Sequence, residues 1–391
     1  MLASFLKDIG NFPIFAGKQL FMNISLNSLH LINFKSYGEL DLTVSPKINC
    51  FVGPNGSGKT NLLDAIHYLS LCKSYFTASD SLNIKHGEDF FLIQGNFELD
   101  DSPEAISCGF KTSQKKVLKR NKKGYDKLSD HIGLIPLIIA SPSDAELIYG
   151  GSEDRRKFID GAISQYDKNY LDCLIKYNKA LAQRNSTLKD FSRSGKTDRD
   201  MLDVWDSQLC LYGESIYKTR KLFIEELREL FLVFYKHISN DLEQVEVRYD
   251  TQLDRADLDV LLKQAVQKDL ALEYTTVGIH KDDLVFMQNG YPMKRVGSQG
   301  QQKTLLVSLK LAELSLMKEK TGKIPLLLLD DIFDKFDAVR VMQLIKLVSG
   351  NTFGQIFITD TDRNNISQLM NEVTSDFKIF EISQDNIREV I

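Results

Sequence analysis

Gly53-Pro54-Asn55-Gly56-Ser57-Gly58-Lys59-Thr60 decides the reading of this chain. The octet fits G-x-x-x-x-G-K-[ST] in full. Before it, Lys47-Ile48-Asn49-Cys50-Phe51-Val52 reads as a short buried strand. After it, Asn61 to Leu71 places Leu62, Leu63, Ile66 and Leu69 on one side of a helix. Strand, glycine-rich turn and helix are the context in which backbone N–H groups turn inward around phosphate and a helix offers its positive end. Lys59 would reach the β- and γ-phosphates, and the Thr60 hydroxyl would ligate Mg²⁺. A chance glycine-rich turn competes poorly there, so Gly53 through Thr60 are read as an ATP site.

The second half of such a site lies far along the chain. Leu326-Leu327-Leu328-Leu329-Asp330-Asp331 is an apolar strand ending in two carboxylates. Asp330 is expected to hold Mg²⁺ as a Walker B aspartate does. Asp331 falls where ABC-type ATPases carry a catalytic Glu and would polarise the attacking water. Its side chain is one methylene shorter, which suggests slow hydrolysis, fit for a switch rather than a motor. The bland alternative is a core strand with solvated acids at its end.

Ser298-Gln299-Gly300-Gln301-Gln302-Lys303 precedes a helix with Leu305, Leu306, Leu309 and Ala312 on its apolar face. Ser298, Gly300 and Gln301 would form a second anion site at that helix start. The segment resembles the ABC signature motif, which contacts the γ-phosphate held by another protomer. An ordinary N-capped helix is the alternative. Asp337 stands where a D-loop aspartate would lie. Thr359-Asp360-Thr361 ends a strand where many ABC proteins place a switch histidine.

The chain has 391 residues, 43% hydrophobic and 26% charged, with a formal net charge of −4. That length allows two lobes and a sizeable core. Overall charge does not advertise nucleic-acid binding, so such a claim must rest on local patches. Five scattered cysteines without a CxxC pair suit a reduced, intracellular, cytoplasmic protein. No apolar run approaches the roughly 18–20 residues that span a bilayer. Residues 1–21 make a poor signal peptide and are expected to be an extension of little significance, with Met22 as the alternative start.

Strand patterns open the chain, and from about Asp154 to Lys268 the spacing turns helical, notably in Lys168–Leu188 and Trp205–His237. Strands return after Leu272. The expected fold is α/β, an ABC-ATPase-like head with a mixed sheet and an antiparallel β subdomain. The head would be built from residues 22–148 and 270–391, with residues 149–269 as an inserted helical arm. About 240 residues between the phosphate loop and Ser298 leave no room for a long coiled coil.

One stretch is strongly basic: Lys111, Lys115, Lys116, Lys119, Arg120, Lys122, Lys123 and Lys127 surround the single acid Asp126 between residues 111 and 127. Asn121-Lys122-Lys123-Gly124 looks like a hairpin turn. Lys115, Lys116, Lys119, Arg120, Lys122 and Lys123 would lie along a phosphate backbone without reading sequence. A solvated edge hairpin guarded by lysines is the alternative. Arg155, Arg156 and Arg184 would serve DNA, a partner or the nucleotide. Asp144 is a candidate for the Q-loop position, His280 for a structural role or a place near the dimer interface, and Trp205 for packing.

From Met22 onward the chain resembles the RecF family. Asn33-Phe34-Lys35-Ser36-Tyr37, the phosphate loop, Lys73-Ser74-Tyr75, Ser141-Pro142-Ser143-Asp144, Arg155-Arg156-Lys157-Phe158-Ile159-Asp160, Gln183-Arg184-Asn185, Trp205-Asp206-Ser207-Gln208-Leu209 and Gly278-Ile279-His280-Lys281-Asp282-Asp283 follow in the family's order. Phe76 departs from the family's frequent Arg, and Asp334-Lys335-Phe336-Asp337 from its Ser-Glu-Leu-Asp. The resemblance implies a weak DNA-stimulated ATPase without nuclease activity that forms an ATP-dependent homodimer on duplex or gapped DNA. It further implies a RecR-type mediator as partner, help in loading the RecA recombinase, and support of the SOS response in DNA repair and replication. The competing class is an ABC-type ATPase that regulates a protein effector and binds no DNA.

Overall fold

Three apolar strands from opposite ends of the sequence, Ile48–Val52, Ile356–Asp360 and Leu326–Asp330, are buried at every position and lie side by side. Such runs, apolar throughout rather than alternating, are what a parallel sheet covered on both faces demands. The structure is a computed structural model that describes residues 21–239, 243–332, 353–373, 376–383 and 386–391. Asp337 and the first twenty residues of the leading segment lie outside the described residues.

The chain divides into two compact units. The first comprises Met1–Asp144, Val233–Asn240 and Lys303–Ile391. Its six-stranded mixed sheet runs in the order Asn386–Glu389, Phe377–Ser383, Ile48–Val52, Ile356–Asp360, Leu326–Asp330, Leu137–Ala140. All neighbours are parallel except the first pair. Phe51 packs on Phe357 and Phe380 of the flanking strands, with ring centroids 6.2 and 5.6 Å away. These contacts help fix the register.

An antiparallel sheet covers the same core in the order Tyr37–Thr43, Ile24–Phe34, Phe90–Leu99, Ser102–Lys111, Val117–Arg120, Lys123–Gly124. Helix Lys59–Leu71 contributes Leu62, Leu63, Ala65, Ile66, Tyr68 and Leu69 to that core. Apolar on most sides, it is a helix that must be buried. Gln355, 1% exposed, ties the two sheets: its amide accepts from Leu26 N–H and donates to the Leu26 and Ser45 carbonyls, each at 2.7 Å. Leu26 adjoins a register shift in its strand, so the side chain satisfies backbone groups the ladder leaves unpaired.

The second unit comprises Ala145–Leu232 and Asp241–Gln302. It holds helices Ser152–Ser164, Lys168–Ser194 and Leu258–Leu272 and most of Arg199–Ser239. A three-stranded sheet of order Tyr291–Pro292, Asp283–Gln288, Val245–Asp250 accompanies them. The border expected at residue 270 therefore falls at 303 instead. Residues 270–302 join the helical unit because Asp283–Gln288 pairs with Val245–Asp250 and because Asp282 is bound by Arg220.

A buried charge cluster sits in the first unit. Lys310 Nζ lies 3.1 Å from Asp144 and 3.6 Å from Glu313, and all three side chains are buried. Asp144 also accepts from Tyr75 Oη and from Ser141 N–H, each at 2.7 Å, so the residue considered for the Q-loop position is committed to this cluster. Burial raises the Glu313 carboxyl to about 7, with Lys310 opposing and Asp144 adding to the rise. A raised acid favours the proton-bound native state, so its effect on stability is lost as pH climbs from its ordinary value near 4.5 through about 7. Glu313→Gln should therefore flatten the decline in stability between about pH 5 and about pH 8, read by urea denaturation at each pH. An unchanged slope would count against a titrating Glu313.

Candidate nucleotide and nucleic-acid sites

The loop after Ile48–Val52 closes so tightly that its glycines are sterically required. A Cβ on Gly53 would meet the Ile382 carbonyl oxygen at 2.2 Å. Gly58 has φ of 103°, and a Cβ there would meet Tyr37 Oη at 2.7 Å. Tyr37 Oη donates to the Gly58 carbonyl at 3.2 Å and Asn61 Nδ2 donates to Ser36 Oγ at 3.0 Å, so the antiparallel sheet braces the loop. Asp64, fully buried on the following helix, binds the Lys35 ammonium at 2.5 Å and accepts from Ser74 Oγ and Tyr75 N–H. The sequence marked Asn33–Tyr37 and Lys73–Tyr75 as landmarks without this role.

Lys59 Nζ donates to the Gly53 and Pro54 carbonyls at 2.7 and 2.8 Å. Burial lowers its pKa, and the carboxylates of Asp331, Asp330 and Asp360 oppose that. The buried Ser57 hydroxyl has no hydrogen-bond partner. Such an orphaned group within a loop of this shape fits a phosphate oxygen.

Asp330 and Thr60 meet although 270 residues separate them: Thr60 Oγ1 donates to Asp330 Oδ1 at 2.9 Å. Thr359 Oγ1 donates to the same oxygen at 2.8 Å and accepts from Asp331 N–H at 2.9 Å. One fully buried hydroxyl thus aligns both carboxylate-bearing residues. Burial raises the Asp330 pKa, the hydrogen bonds from Thr359 and Thr60 hold it down, and Asp331 adds to the rise. A hydroxyl beside a buried, under-compensated carboxylate is a hard oxygen pair that suits Mg²⁺. Asp331 follows in the left-handed region at φ of 48°, a conformation aspartate tolerates better than most residues. Burial also raises Asp360, which lies in the Thr359–Thr361 stretch considered for the switch position and accepts from Asp362 N–H at 2.7 Å.

In the second unit Ser298 and Gln301 form a reciprocal cap on helix Gln299–Thr321: Ser298 N–H donates to Gln301 Oε1 at 2.7 Å and Gln301 N–H to Ser298 Oγ at 3.3 Å. The ordinary-cap geometry is therefore present. It leaves the Ser298 hydroxyl proton, the only donor of that side chain, for another acceptor. Gln301 Nε2 also donates to Glu243 at 3.0 Å. Gly300 lies between them, half-buried.

The basic stretch forms the hairpin Val117–Arg120 and Lys123–Gly124, with Asn121 and Lys122 at positive φ in its turn. Its cations are not equivalent. Lys116 pairs with Asp80 at 2.9 Å and lies 5.0 Å from the Tyr68 ring centre, and Arg120 is bound by Glu104. Lys115, Lys119, Lys122 and Lys123 are exposed and carry no ion pair among the described residues. Arg155 and Arg184 are likewise engaged, with Asp283 and with Asp206 and Asp269. His280 bridges Tyr177 Oη at 2.9 Å and the Thr275 carbonyl at 3.0 Å, and burial drops its pKa to about 4. It is a structural imidazole, neutral at physiological pH.

Over residues 28–276 the chain matches the family described as an AAA domain. It is 49% identical over 366 residues to the DNA replication and repair protein RecF of Bacteroides fragilis, covering 93% of this chain and 98% of that protein. The RecF of Flavobacterium johnsoniae is 48% identical over 357 residues, covering 91% and 99%. A solved structure of the recombination mediator protein RecF with ATP, in the RecFOR pathway, superposes with a TM-score of 0.85 at 32% identity, covering 96% of this chain and 100% of that one. An Smc head domain derived from Pyrococcus furiosus shares the fold, with a TM-score of 0.53 at 16% identity, over 94% and 96%. No helix among the described residues is long and apolar enough to cross a membrane.

If Thr359 aligns Asp330 and Asp331 for ATP hydrolysis, Thr359→Val should lower the hydrolysis rate about 10- to 100-fold and demand more Mg²⁺. Thr359→Ser should keep the hydroxyl and most of the activity. Equal loss in both variants, in a Mg²⁺ titration of turnover, would mean that only packing is at stake.

Proposed function

The chain belongs to the RecF family, and we propose that it is a cytoplasmic ATP-gated DNA-binding protein of recombinational repair and replication. The observation that carries this reading is the convergence of Lys59, Thr60, Asp330 and Asp331 on a glycine loop at a helix start. ATP would seat its β- and γ-phosphates against the loop N–H groups, with the Lys59 ammonium exchanging carbonyl partners for phosphate oxygens. Thr60 and Asp330 would hold Mg²⁺, which when bound neutralises phosphate charge. Asp331 would orient the water that attacks the γ-phosphorus, giving ADP and phosphate.

Ser298, with Gly300 and Gln301, would meet the γ-phosphate held by a second copy of the chain. ATP would then join two copies, and slow hydrolysis would release them. The exposed Lys115, Lys119, Lys122 and Lys123 support contact with the phosphates of duplex or gapped DNA, without base reading. A RecR-type mediator, loading of RecA and support of the SOS response follow from the family. In this reading Lys116 and Arg120 shape the hairpin rather than touch DNA.

Sedimentation with ATP, Mg²⁺ and a gapped duplex tests the switch. Wild type should pass from monomer to dimer on adding ATP, and Lys59→Met and Ser298→Arg should each abolish the shift. A wild-type monomer at saturating ATP would overturn it. Neutralising Lys115, Lys119, Lys122 and Lys123 together should weaken DNA binding at least about tenfold, steeply with salt, while ATP binding survives. Wild type that binds ATP but no DNA would favour an ATPase that regulates a protein effector instead.

A further inference from the structure

The loop Gly278–Asp283 is held more firmly than any surface turn needs to be. Gly278 has φ of 120°, and a Cβ there would meet Tyr177 Oη at 2.6 Å. Both ring nitrogens of His280 are engaged. Arg220, 1% exposed, donates to the Ile279 carbonyl at 2.8 Å and to Asp282 at 3.0 Å. Arg155 binds Asp283, and Arg156 donates to the Asp282 carbonyl at 2.7 Å. Only Lys281 turns outward. Its ammonium lies 4.9 Å from the ring centre of Tyr274, which is itself 43% exposed, and among the described residues it has no ion pair.

Two further cations crowd it. The half-buried Arg156 and the exposed Lys268, on helix Leu258–Leu272, both act on Lys281 electrostatically. Partial burial and then Arg156 hold the Lys281 pKa down, with Lys268 acting in the same sense and buried Asp269 opposing. The carboxylates around them are committed inward: Asp160 and Asp282 to Arg220, Asp283 to Arg155, Asp269 to Arg184. Like charges brought together from the turn and two helices repel one another less when an anion arrives. An exposed aromatic ring against the Lys281 ammonium, with further cations acting on that ammonium, suits a sugar–phosphate chain better than a single small anion.

We propose that Lys281, Lys268 and Arg156, beside Tyr274, form a second contact of this protein with the phosphodiester backbone of DNA, in the helical unit and apart from the basic hairpin. The assignment rests on the DNA-binding reading above. It gives the rigid loop a purpose: to hold an ammonium at a fixed position against a regularly spaced polyanion, independent of base sequence.

The test uses the full chain with ATP, Mg²⁺ and a labelled duplex, with affinity followed by anisotropy across a salt series. Lys281→Ala should weaken binding and reduce the slope of log affinity against log salt by about one, and Lys281→Ala with Lys268→Ala by about two. Lys281→Arg should restore the slope. ATP hydrolysis without DNA should be unchanged, since neither lysine belongs to the nucleotide site. Wild-type affinity and slope in the double variant would overturn the inference while leaving the DNA-binding reading intact. Failure of wild type itself to bind DNA would sink both. Loss of ATP-dependent dimerisation in the absence of DNA would assign the patch to a protein contact and overturn the proposal.

Discussion

Asp330 Oδ1 receives two hydroxyls, one from Thr60 and one from Thr359, and the arrangement of the first unit serves that meeting. The parallel register sets it. Asp330 stands opposite Thr359, and Asp360 opposite Val52, so three strands end at one level. A slip of one residue would turn the carboxylate to the other face of the sheet, because side chains alternate with period two. Burial makes the carboxylate costly to ionise, and the same two hydroxyls offset that cost. The packed rings of Phe51, Phe357 and Phe380 and the Gln355 bridge to Leu26 resist such a slip.

The second unit solves a different problem with similar means. Arg184 and Arg220 are almost completely buried, and each gathers two aspartates from distant segments. Replacing such clusters by apolar groups is often neutral for stability, whereas removing one partner leaves an uncompensated charge. Their value here is geometric. Arg220 fixes where the Gly278–Asp283 turn sits, through the Ile279 carbonyl and Asp282, while Arg184 holds Asp269 and Thr275 just before it.

Much of this was legible in the sequence. The loop Gly53–Thr60 announces itself because phosphate binding needs glycines and a lysine at fixed local spacing, and Asp330 because an apolar run ends there. What the sequence hid depends on pairing across distance. Lys116 and Arg120 read as free cations until Asp80 and Glu104, 36 and 16 residues away, neutralise them. Thr359 was visible only as a strand end, since its two bonds reach a neighbouring strand 28 and 29 residues away. The border near residue 270 was misplaced because helical spacing stops there, whereas the strand Asp283–Gln288 finds its partner at Val245–Asp250.

The interleaved order of the parallel sheet also has a meaning in time. About 300 residues separate Thr60 from Thr359, which at about 5–20 residues per second is about 15–60 s of ribosomal synthesis. Throughout that interval Ile48–Val52, apolar on both faces, has neither of its lasting neighbours, Ile356–Asp360 and Phe377–Ser383. The antiparallel strands beside it can fold at once, because their partners are local. A nascent chain of this design therefore carries a half-made sheet with a sticky centre until its final segment emerges, and any premature stop before residue 356 leaves the phosphate loop without the strand that anchors it.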